Sequence, residues 1–241
     1  ALAEAELEYK DDHVSTATFV GFPVRSFSRS GAPWAQPTAN VEAVAWTTTP
    51  WSLVGNAALA VHPDLDYVVA TFADGDVNAR EGKLRHLLVS GARLQALTQA
   101  LGVSGPLTVS HPFKGSDLLA DEGLRVGHPL ARDWLRPLIP AEHVTADAGS
   151  GLVHIAPAFG HEDWDAFREF LASPRGSAIP SADDATSKPA PLDEAGLIQL
   201  DASHPLAAEF ATELGGKSVL NNVASGAVLA ALTRKGTLVG T

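Results

Sequence analysis

The sequence predicts an α+β fold in which a mainly β core closes into a barrel and α-helices lie at its periphery. Two observations carry this prediction. Seven short segments are rich in β-branched and aromatic residues and end near Gly, Pro or Asp, which is typical of strands in a barrel or sandwich. Three other segments place apolar residues at three- and four-residue steps, which is typical of amphipathic helices.

The predicted strands are short and separated by turn-forming residues. They cover residues 15–24, 41–49, 67–72, 83–88, 107–113, 151–156 and 196–200. The first helix covers residues 162–171, begins near Asp163 and has four apolar side chains on one face: Trp164, Phe167, Phe170 and Leu171. The second is interrupted near Gly91 and has four leucines on one face: Leu87, Leu94, Leu97 and Leu101. The third covers residues 222–235, ends at Gly236 and directs three residues inward: Val228, Leu229 and Leu232.

The chain is long enough for one large domain. Its 241 residues are 45% hydrophobic and 19% charged, which predicts a sizeable core and excludes global disorder. We expect a single domain over residues 1–241, with a β core over about residues 1–172. A mobile loop over residues 173–191, rich in Pro and Ser, then leads to a C-terminal helical subregion over residues 192–241.

Composition excludes several classes of function. The net charge of −11 disfavours a broad grip on duplex nucleic acid, and the lack of Cys excludes disulfides and thiolate chemistry. No apolar run approaches the ~20 residues that span a bilayer, so we expect a soluble protein with no membrane partner. The sequence has no Met, even at position 1, which predicts that the chain is processed or cut from a longer protein.

Most familiar catalytic motifs are missing from the sequence. There is no G-x-S-x-G, H-E-x-x-H, EF-hand or G-x-G-x-x-G pattern. Residues 216–218 imitate the end of a P-loop, but Ala211 stands where its first Gly belongs, which favours a surface turn. His161, Glu162, Asp163 and Asp165 are adjacent or nearly so, and neighbouring residues cannot share a helical face. We therefore predict no metal site.

Two segments carry chemistry that the rest of the chain lacks. Residues 46–56 contain three consecutive threonines before Pro50; threonines favour strands, but hydroxyls on both faces of a strand place at least one in the interior or in a polar cleft. Residues 149–163 form a strand, a Pro- and Gly-containing loop and a helix start. There His154 is either a buried strand histidine or a functional one, and Asp163 either caps the helix or binds a ligand.

Together these segments resemble the editing domain of isoleucyl-tRNA synthetase, a connective-polypeptide insertion of class I synthetases. The resemblance lies in Trp-Thr-Thr-Thr-Pro-Trp at residues 46–51 and Val-His-x-Ala-Pro-Ala-Phe-Gly-x-x-Asp at residues 153–163. The valine and leucine branches typically carry Thr-Thr-Arg-Pro in the first segment. Shorter matches at residues 8–10, 22–24, 60–63, 114–115 and 141–145 extend the resemblance over nearly the whole chain.

The resemblance implies post-transfer editing: hydrolysis of the ester of Val-tRNA(Ile), with valyl-adenylate as a further candidate substrate. It implies catalytic roles for Asp163, Thr48 and Thr49, and substrate-binding roles for Thr47, Ser52, Asn56, His154 and Ala156. His154 would exclude larger side chains, and Asp163 would hold the substrate ammonium group. Two alternatives stay open: a module that binds the tRNA 3′ end without hydrolysis, and an unrelated acidic β-barrel protease or esterase.

The synthetic signatures His-Ile-Gly-His and Lys-Met-Ser-Lys-Ser do not occur in the sequence. The resemblance therefore implies no cofactor for this chain, since ATP and any zinc would belong to the rest of the synthetase. It implies two partners, the 3′ end of tRNA(Ile) carrying valine and the remainder of the synthetase in cis. We expect a monomer in the cytoplasm, or in mitochondria if the parent enzyme is organellar. Three substitutions depart from the family pattern: Ser52 and Ser150 replace Thr, and Val54 replaces Pro.

Overall fold

The computed structural model describes residues 17–35, 40–73, 84–177 and 191–241. Their strands are β1 (Thr18–Ser26), β2 (Val41–Thr47), β3 (Ala58–Val61), β4 (Asp66–Phe72), β5 (Arg85–Ser90), β6 (Thr108–Val109), β7 (Phe113–Lys114), β8 (Arg125–Gly127), β9 (Leu135–Pro140), β10 (Leu152–Ile155) and β11 (Leu238–Gly240). Their α-helices are α1 (Leu94–Ala100), α2 (Gly115–Leu119), α3 (His161–Ala172), α4 (Ala207–Leu214) and α5 (Val223–Lys235).

The strands form one mixed sheet. Its order is β10-β3-β9-β8-β1-β2-β5-β4-β6, with β11 paired to β1 and β7 paired to β4. Two of the pairs are parallel, β2 with β5 and β3 with β9, and the others are antiparallel. Strand β1 is shared along its length, since its first residues pair with β2 and β11 and its last residues pair with β8.

The predicted combination of strands and helices is confirmed, whereas the closed barrel is not. In the part of the chain that the structure describes, the hydrogen-bonded path runs from β10 to β6 without closing. Strand β10 lies beside β2, but what joins them there is the hydroxyl of Ser150, which donates to the carbonyl of Val44. The other end of the path, β6, has two exposed residues, Thr108 and Val109.

Three local predictions are wrong. Residues 107–113 form two separate short strands, β6 and β7. Residues 196–200 make only isolated bridges, because the amide of Ile198 bonds to the carbonyl of Lys217 in a turn. Leu87 lies in β5 opposite Ala70 of β4, so the predicted second helix begins only at Leu94.

The first and third predicted helices are confirmed. Helix α3 buries Phe167 and Phe170, although Trp164 on the same predicted face is 37% exposed. Helix α5 ends where expected, because its C-terminal cap Gly236 has the left-handed φ of 70° that glycine adopts easily.

One large hydrophobic cluster joins the two halves of the chain. It includes Phe22, Leu53, Leu59, Phe210, Val228 and Leu232. A smaller cluster packs α3 against β9 and β10 through Ile139, Ile155, Phe167 and Phe170. Strand β10 and helix α3, which follow each other in the chain, are thereby fixed against the sheet at one place.

Some predictions fall outside the described residues. These are the first two residues of the strand at 15–24, the first residue of the strand at 83–88, the motif match at 8–10 and residues 178–190 of the predicted loop. The proposed division of the chain into core, loop and C-terminal subregion stays a prediction. None of the helices that the structure describes has the length and apolar character needed to cross a membrane.

Candidate functional site

The two sequence segments meet in one cleft of about 360 Å³. Pairing of β10 with β3 brings them together, since β3 directly follows the turn after the threonines. The cleft is lined by Trp46, Thr47, Thr48, Thr49, Trp51, Ser52, Val153, His154, Ala156, Phe159, Gly160 and Asp163. Every predicted site residue except Asn56 is in this lining.

The threonine segment leaves the sheet at the cleft. Strand β2 ends at Thr47, two residues before the prediction. Pro50 begins a short 3-10 helix at Pro50–Gly55, called the 3-10 turn below. Proline favours this start because it lacks an N–H and fixes its own φ. The hydroxyl of Thr47 accepts the amide of Thr49 at 3.0 Å and so stabilises the bend between strand and turn.

A chain of hydroxyls runs along the cleft. The Thr47 and Thr49 hydroxyls are 3.4 Å apart, and the Thr49 and Ser52 hydroxyls are also 3.4 Å apart. The Ser52 hydroxyl donates to the carbonyl of Thr49 at 2.8 Å and lies 3.1 Å from Nε2 of His154. Thr48 and Thr49 are exposed, so their side chains are open to a ligand.

His154 is a neutral, buried wall of the cleft. Because Ser52 uses its proton on the Thr49 carbonyl, we assign the proton of His154 to Nε2, which donates to Ser52. Burial lowers the pKa of His154 to about 4, so the ring is uncharged at neutral pH. Its Nδ1 is buried and has no hydrogen-bond partner in the described part of the chain.

Asp163 supplies the carboxylate of the cleft. It is the third residue of α3, whose N-cap is Gly160 rather than an acidic side chain. Its Oδ2 accepts the backbone N–H of Ala156 at 2.8 Å, and Oδ1 lies 3.9 Å from Nε2 of His143. Burial raises the pKa of Asp163, and the bond from Ala156 partly offsets this effect. Asp163 therefore tethers the loop after β10 and does not cap the helix.

Asn56 lies beside the cleft and supports its two strands. Its amide nitrogen donates to the carbonyls of Ala58 at 2.8 Å and Ile155 at 3.4 Å. These are the first residue of β3 and the last residue of β10. The role of Asn56 as a substrate ligand stays a prediction.

Sequence reasoning missed the aromatic part of the cleft. The rings of Trp51 and Phe159 meet edge to face, with their centroids 4.9 Å apart. Phe159 comes this close because residue 55 is glycine; a Cβ there would lie 2.6 Å from its ring. The signal was present in the sequence, since Trp51 directly follows the Pro that ends the threonine run and therefore lies at the edge of the same site.

Two histidines support the 3-10 turn through its backbone carbonyls. His128 donates from Nε2 to the carbonyl of Leu53 at 2.8 Å, and Nε2 of His204 lies 3.2 Å from the carbonyl of Val54. The ring of Trp134 contacts both imidazoles, with centroid distances of 4.7 and 5.5 Å. Complete burial lowers the pKa of His128 to about 3, so it is a neutral donor. No local pattern marks these residues in the sequence.

Comparisons with known proteins bear on the family of this chain. No family model matches the chain. The isoleucine–tRNA ligase of Microcystis aeruginosa is 33% identical over 240 residues, which cover 99% of this chain and 21% of that protein. The isoleucine–tRNA ligase of Alcanivorax borkumensis is 40% identical over 178 residues, which cover 72% of this chain and 17% of that protein.

Solved structures give the same result for the fold. The P. falciparum cytosolic leucyl-tRNA synthetase editing domain containing deletions of insertions 1 and 3 superposes with a TM-score of 0.64 at 10% identity, covering 93% of this chain and 98% of that one. The P. knowlesi cytosolic leucyl-tRNA synthetase editing domain gives 0.60 at 12% identity, covering 94% and 97%. The chain belongs to the isoleucyl-tRNA synthetase family, and its fold is similar to that of leucyl-tRNA synthetase editing domains.

The chain matches only a part of its longer relatives. It spans only 16% of the Nostoc punctiforme isoleucine–tRNA ligase, to which it is 37% identical over 165 residues. Within the described ranges, no group of three or more His, Asp or Glu side chains is arranged to hold a metal ion. His161 and Asp165, two of the ligand candidates considered above, lie outside the cleft and 3.5 Å from each other.

Proposed function

We propose that this editing domain hydrolyses the ester bond of tRNA(Ile) mischarged with valine. One observation carries the proposal: a single cleft contains a half-buried carboxylate, a chain of hydroxyls and a neutral imidazole wall. The proposed partner is the 3′ end of tRNA(Ile), presented by the remainder of the synthetase in cis. A monomeric state and a cytoplasmic location are part of the same proposal.

In this proposal the cleft selects amino acids by size. A pocket that accepts isoleucine rejects valine by only about 1–3 kcal/mol, a limit for which isoleucyl-tRNA synthetase is itself the standard example. A second, smaller pocket removes the error by admitting valine and excluding isoleucine. His154 and the Trp51–Phe159 pair form a wall suited to this exclusion, because packing an extra carbon against a close-packed wall costs about 1–3 kcal/mol.

The carboxylate of Asp163 binds the substrate ammonium group in this mechanism. Its Oδ2 is held by Ala156, so the carboxylate has a fixed orientation before substrate enters. A charge-assisted hydrogen bond from the ammonium group then places the ester carbonyl beside the 3-10 turn. A valyl group without this anchor has no fixed orientation in the cleft.

The hydroxyls and backbone of the turn then act on the ester. An aminoacyl ester is already activated, so hydrolysis requires an oriented water and stabilisation of the developing oxyanion. The exposed hydroxyls of Thr48 and Thr49 supply donors for both tasks. His154 is neutral and bonded to Ser52, so its task is steric exclusion and not proton transfer. The same arrangement would accept valyl-adenylate, which carries the same ammonium and acyl groups.

The proposal predicts that Asp163→Asn abolishes deacylation. The variant keeps the size of the side chain but loses the charge that binds the ammonium group, and we expect the single-turnover rate on Val-tRNA(Ile) to fall on the order of 10²-fold or more. Asp165→Asn is the matched control, since Asp165 lies two residues further along α3, outside the cleft, and pairs with Arg168. It should retain the rate of the unmodified chain.

Loss of labelled valine from Val-tRNA(Ile) and of isoleucine from Ile-tRNA(Ile) measures the reaction. We expect the first ester to be hydrolysed and the second to be spared. An unchanged rate in Asp163→Asn refutes the role of the carboxylate. Binding of the tRNA end without ester loss in the unmodified chain refutes hydrolysis and leaves the end-binding module.

A further inference from the structure

His143 contacts the carboxylate of Asp163 from outside the cleft. It lies in the loop that follows β9 and lines a second groove of about 780 Å³ on another face of α3. Its Nε2 is buried and has no hydrogen-bond partner among the residues that the structure describes. The carboxylate oxygen Oδ1 of Asp163 lies 3.9 Å from this nitrogen, which is an ion-pair distance and longer than a hydrogen bond.

The two oxygens of Asp163 have different neighbours. Oδ2 is fixed by the backbone N–H of Ala156, while Oδ1 faces His143. Burial raises the pKa of Asp163, and adjacent Glu162 raises it further, whereas Ala156 and His143 lower it. A carboxylate that must be ionised to bind an ammonium group therefore depends on these two compensating neighbours.

The surroundings of His143 are mainly acidic. Among the described residues, the charged groups that line its groove are mainly acidic. They are Glu142 on its own loop, Glu162, Asp165 and Glu169 on α3, and one cation, Arg175, after α3. Glu142 also lies 3.4 Å from His62. With Oδ1 of Asp163 as the nearest acidic oxygen, an Nε2 that carries a proton is attracted to the carboxylate and a bare lone pair is repelled.

We propose that His143 is a positioning residue that keeps the Asp163 carboxylate oriented and ionised from the groove side of α3. The inference rests on the proposed function, because it gives His143 a task only if Asp163 binds the substrate ammonium. His143 does not line the cleft and touches no reacting atom. Its effect on the reaction passes through Asp163.

Two variants of the 241-residue chain test the proposal. His143→Leu removes the N–H, and His143→Gln replaces it with an amide N–H of similar reach but no charge. We expect His143→Leu to raise KM for Val-tRNA(Ile) about tenfold with little change in kcat, the effect of losing one contact to a charged group that is made equally in ground and transition states. His143→Gln should recover part of this loss. His161→Gln is the control, since His161 is 89% exposed at the start of α3 and outside the cleft.

A second readout does not require catalysis. The pKa of the Asp163 carboxyl, followed by carbon-13 NMR, should be higher in His143→Gln than in the unmodified chain and highest in His143→Leu. An unchanged pKa in a folded variant overturns the inference, even if the unmodified chain hydrolyses its substrate. A raised pKa in a chain without hydrolytic activity supports His143 as a positioning residue and overturns the proposed function. If the leucine variant does not fold, the glutamine variant decides the outcome.

Discussion

At the scale of single residues, the fixed tautomer of His154 is central to the site. Ser52 accepts its Nε2 proton and in turn donates to the Thr49 carbonyl, so the ring cannot rotate without breaking its hydrogen bond to Ser52. Burial holds the ring neutral, since the pKa of His154 is about 4. A neutral, immobile ring can exclude a larger side chain without attracting the substrate ammonium away from Asp163.

Removal of this ring should broaden the substrate range. We expect His154→Ala to hydrolyse Ile-tRNA(Ile) at a rate about 10- to 100-fold above that of the unmodified chain, because the cost of one excluded methylene is of that size. Ser52→Ala is the comparison variant, since it keeps the ring and removes only its partner. It should spare Ile-tRNA(Ile) better than His154→Ala does. Continued sparing in His154→Ala would assign the wall to Trp51 and Phe159.

Residue types in the two motif segments predicted most of the cleft. Thr47, Ser52 and Asp163 lie where the local pattern places them, because each is within a few residues of a strand end or helix start. Asn56 could not be placed in the same way, since its bonds to β3 and β10 depend on the pairing of those strands. His128 had no local signal at all, because the carbonyl that it contacts belongs to Leu53, 75 positions earlier in the chain.

At the scale of elements, strand β10 sets the position of His154 and begins at a constrained glycine. Gly151 has a left-handed φ of 78°, its carbonyl accepts the hydroxyl of Tyr67, and a Cβ on it would lie 2.3 Å from the side chain of Ser90. A side chain at this point displaces either the strand or its neighbour. The start of β10 therefore tolerates only glycine.

Gly151→Ala should destabilise the protein more than a glycine substitution without the steric contact. Gly102→Ala is the matched control: its φ is 67°, and no atom lies within 4 Å of an added Cβ. We expect the control to lose about 1 kcal/mol in free energy of unfolding, the usual cost of a left-handed residue, and Gly151→Ala to lose about 2–4 kcal/mol. Urea unfolding of both variants measures the difference. Equal losses would show that the sheet relaxes around Ser90 without cost.

Elements with a clear period were predictable, and those fixed by tertiary pairing were not. Helices α3 and α5 have apolar spacing that the sequence displays, and α5 also has the predicted glycine at its C-terminal end. Strand β3 escaped prediction because Ala-Leu-Ala-Val is a poor strand sequence by propensity; parallel pairing with β9 and burial on both sides stabilise it. The isolated bridges at residues 196–200 show the converse, an apolar run without a full strand partner.

At the scale of the whole molecule, buried neutral histidines make the free energy of unfolding depend on pH. Burial lowers the pKa of His128 to about 3 and that of His154 to about 4, both below the ordinary 6.5. Below pH 6.5 the unfolded chain binds protons that the folded chain does not, so the stabilisation is complete above pH 6.5 and is lost as pH falls towards 3. Asp163 acts in the opposite direction, since burial raises its pKa.

We expect the free energy of unfolding to fall between pH 7 and pH 5 by about 2 kcal/mol for each of the two histidines. Urea unfolding at both pH values measures the loss. His128→Gln keeps a donor near Leu53 but does not titrate, and it should lower the pH dependence by about half. A flat profile between pH 7 and pH 5 would show that both rings are protonated in the folded chain.

At this scale, the main prediction that the structure does not confirm is closure of the sheet into a barrel. Many short strands favour a barrel on sequence grounds, but closure depends on whether the terminal strands meet in register, which single-strand patterns do not encode. The shared core of α4, α5 and the sheet was equally invisible, because amphipathic spacing shows that a helix has an apolar face and not which strands cover it.

The contact of His204 with the Val54 carbonyl joins positions 150 residues apart. A truncation designed to keep only the cleft would end soon after α3, because that helix contains the last side chain that lines the cleft. Such a shortened version would keep every side chain that lines the cleft and still lose one of the two histidines that support the 3-10 turn. The smallest fragment that keeps both of these histidines therefore extends well beyond the last residue that lines the cleft.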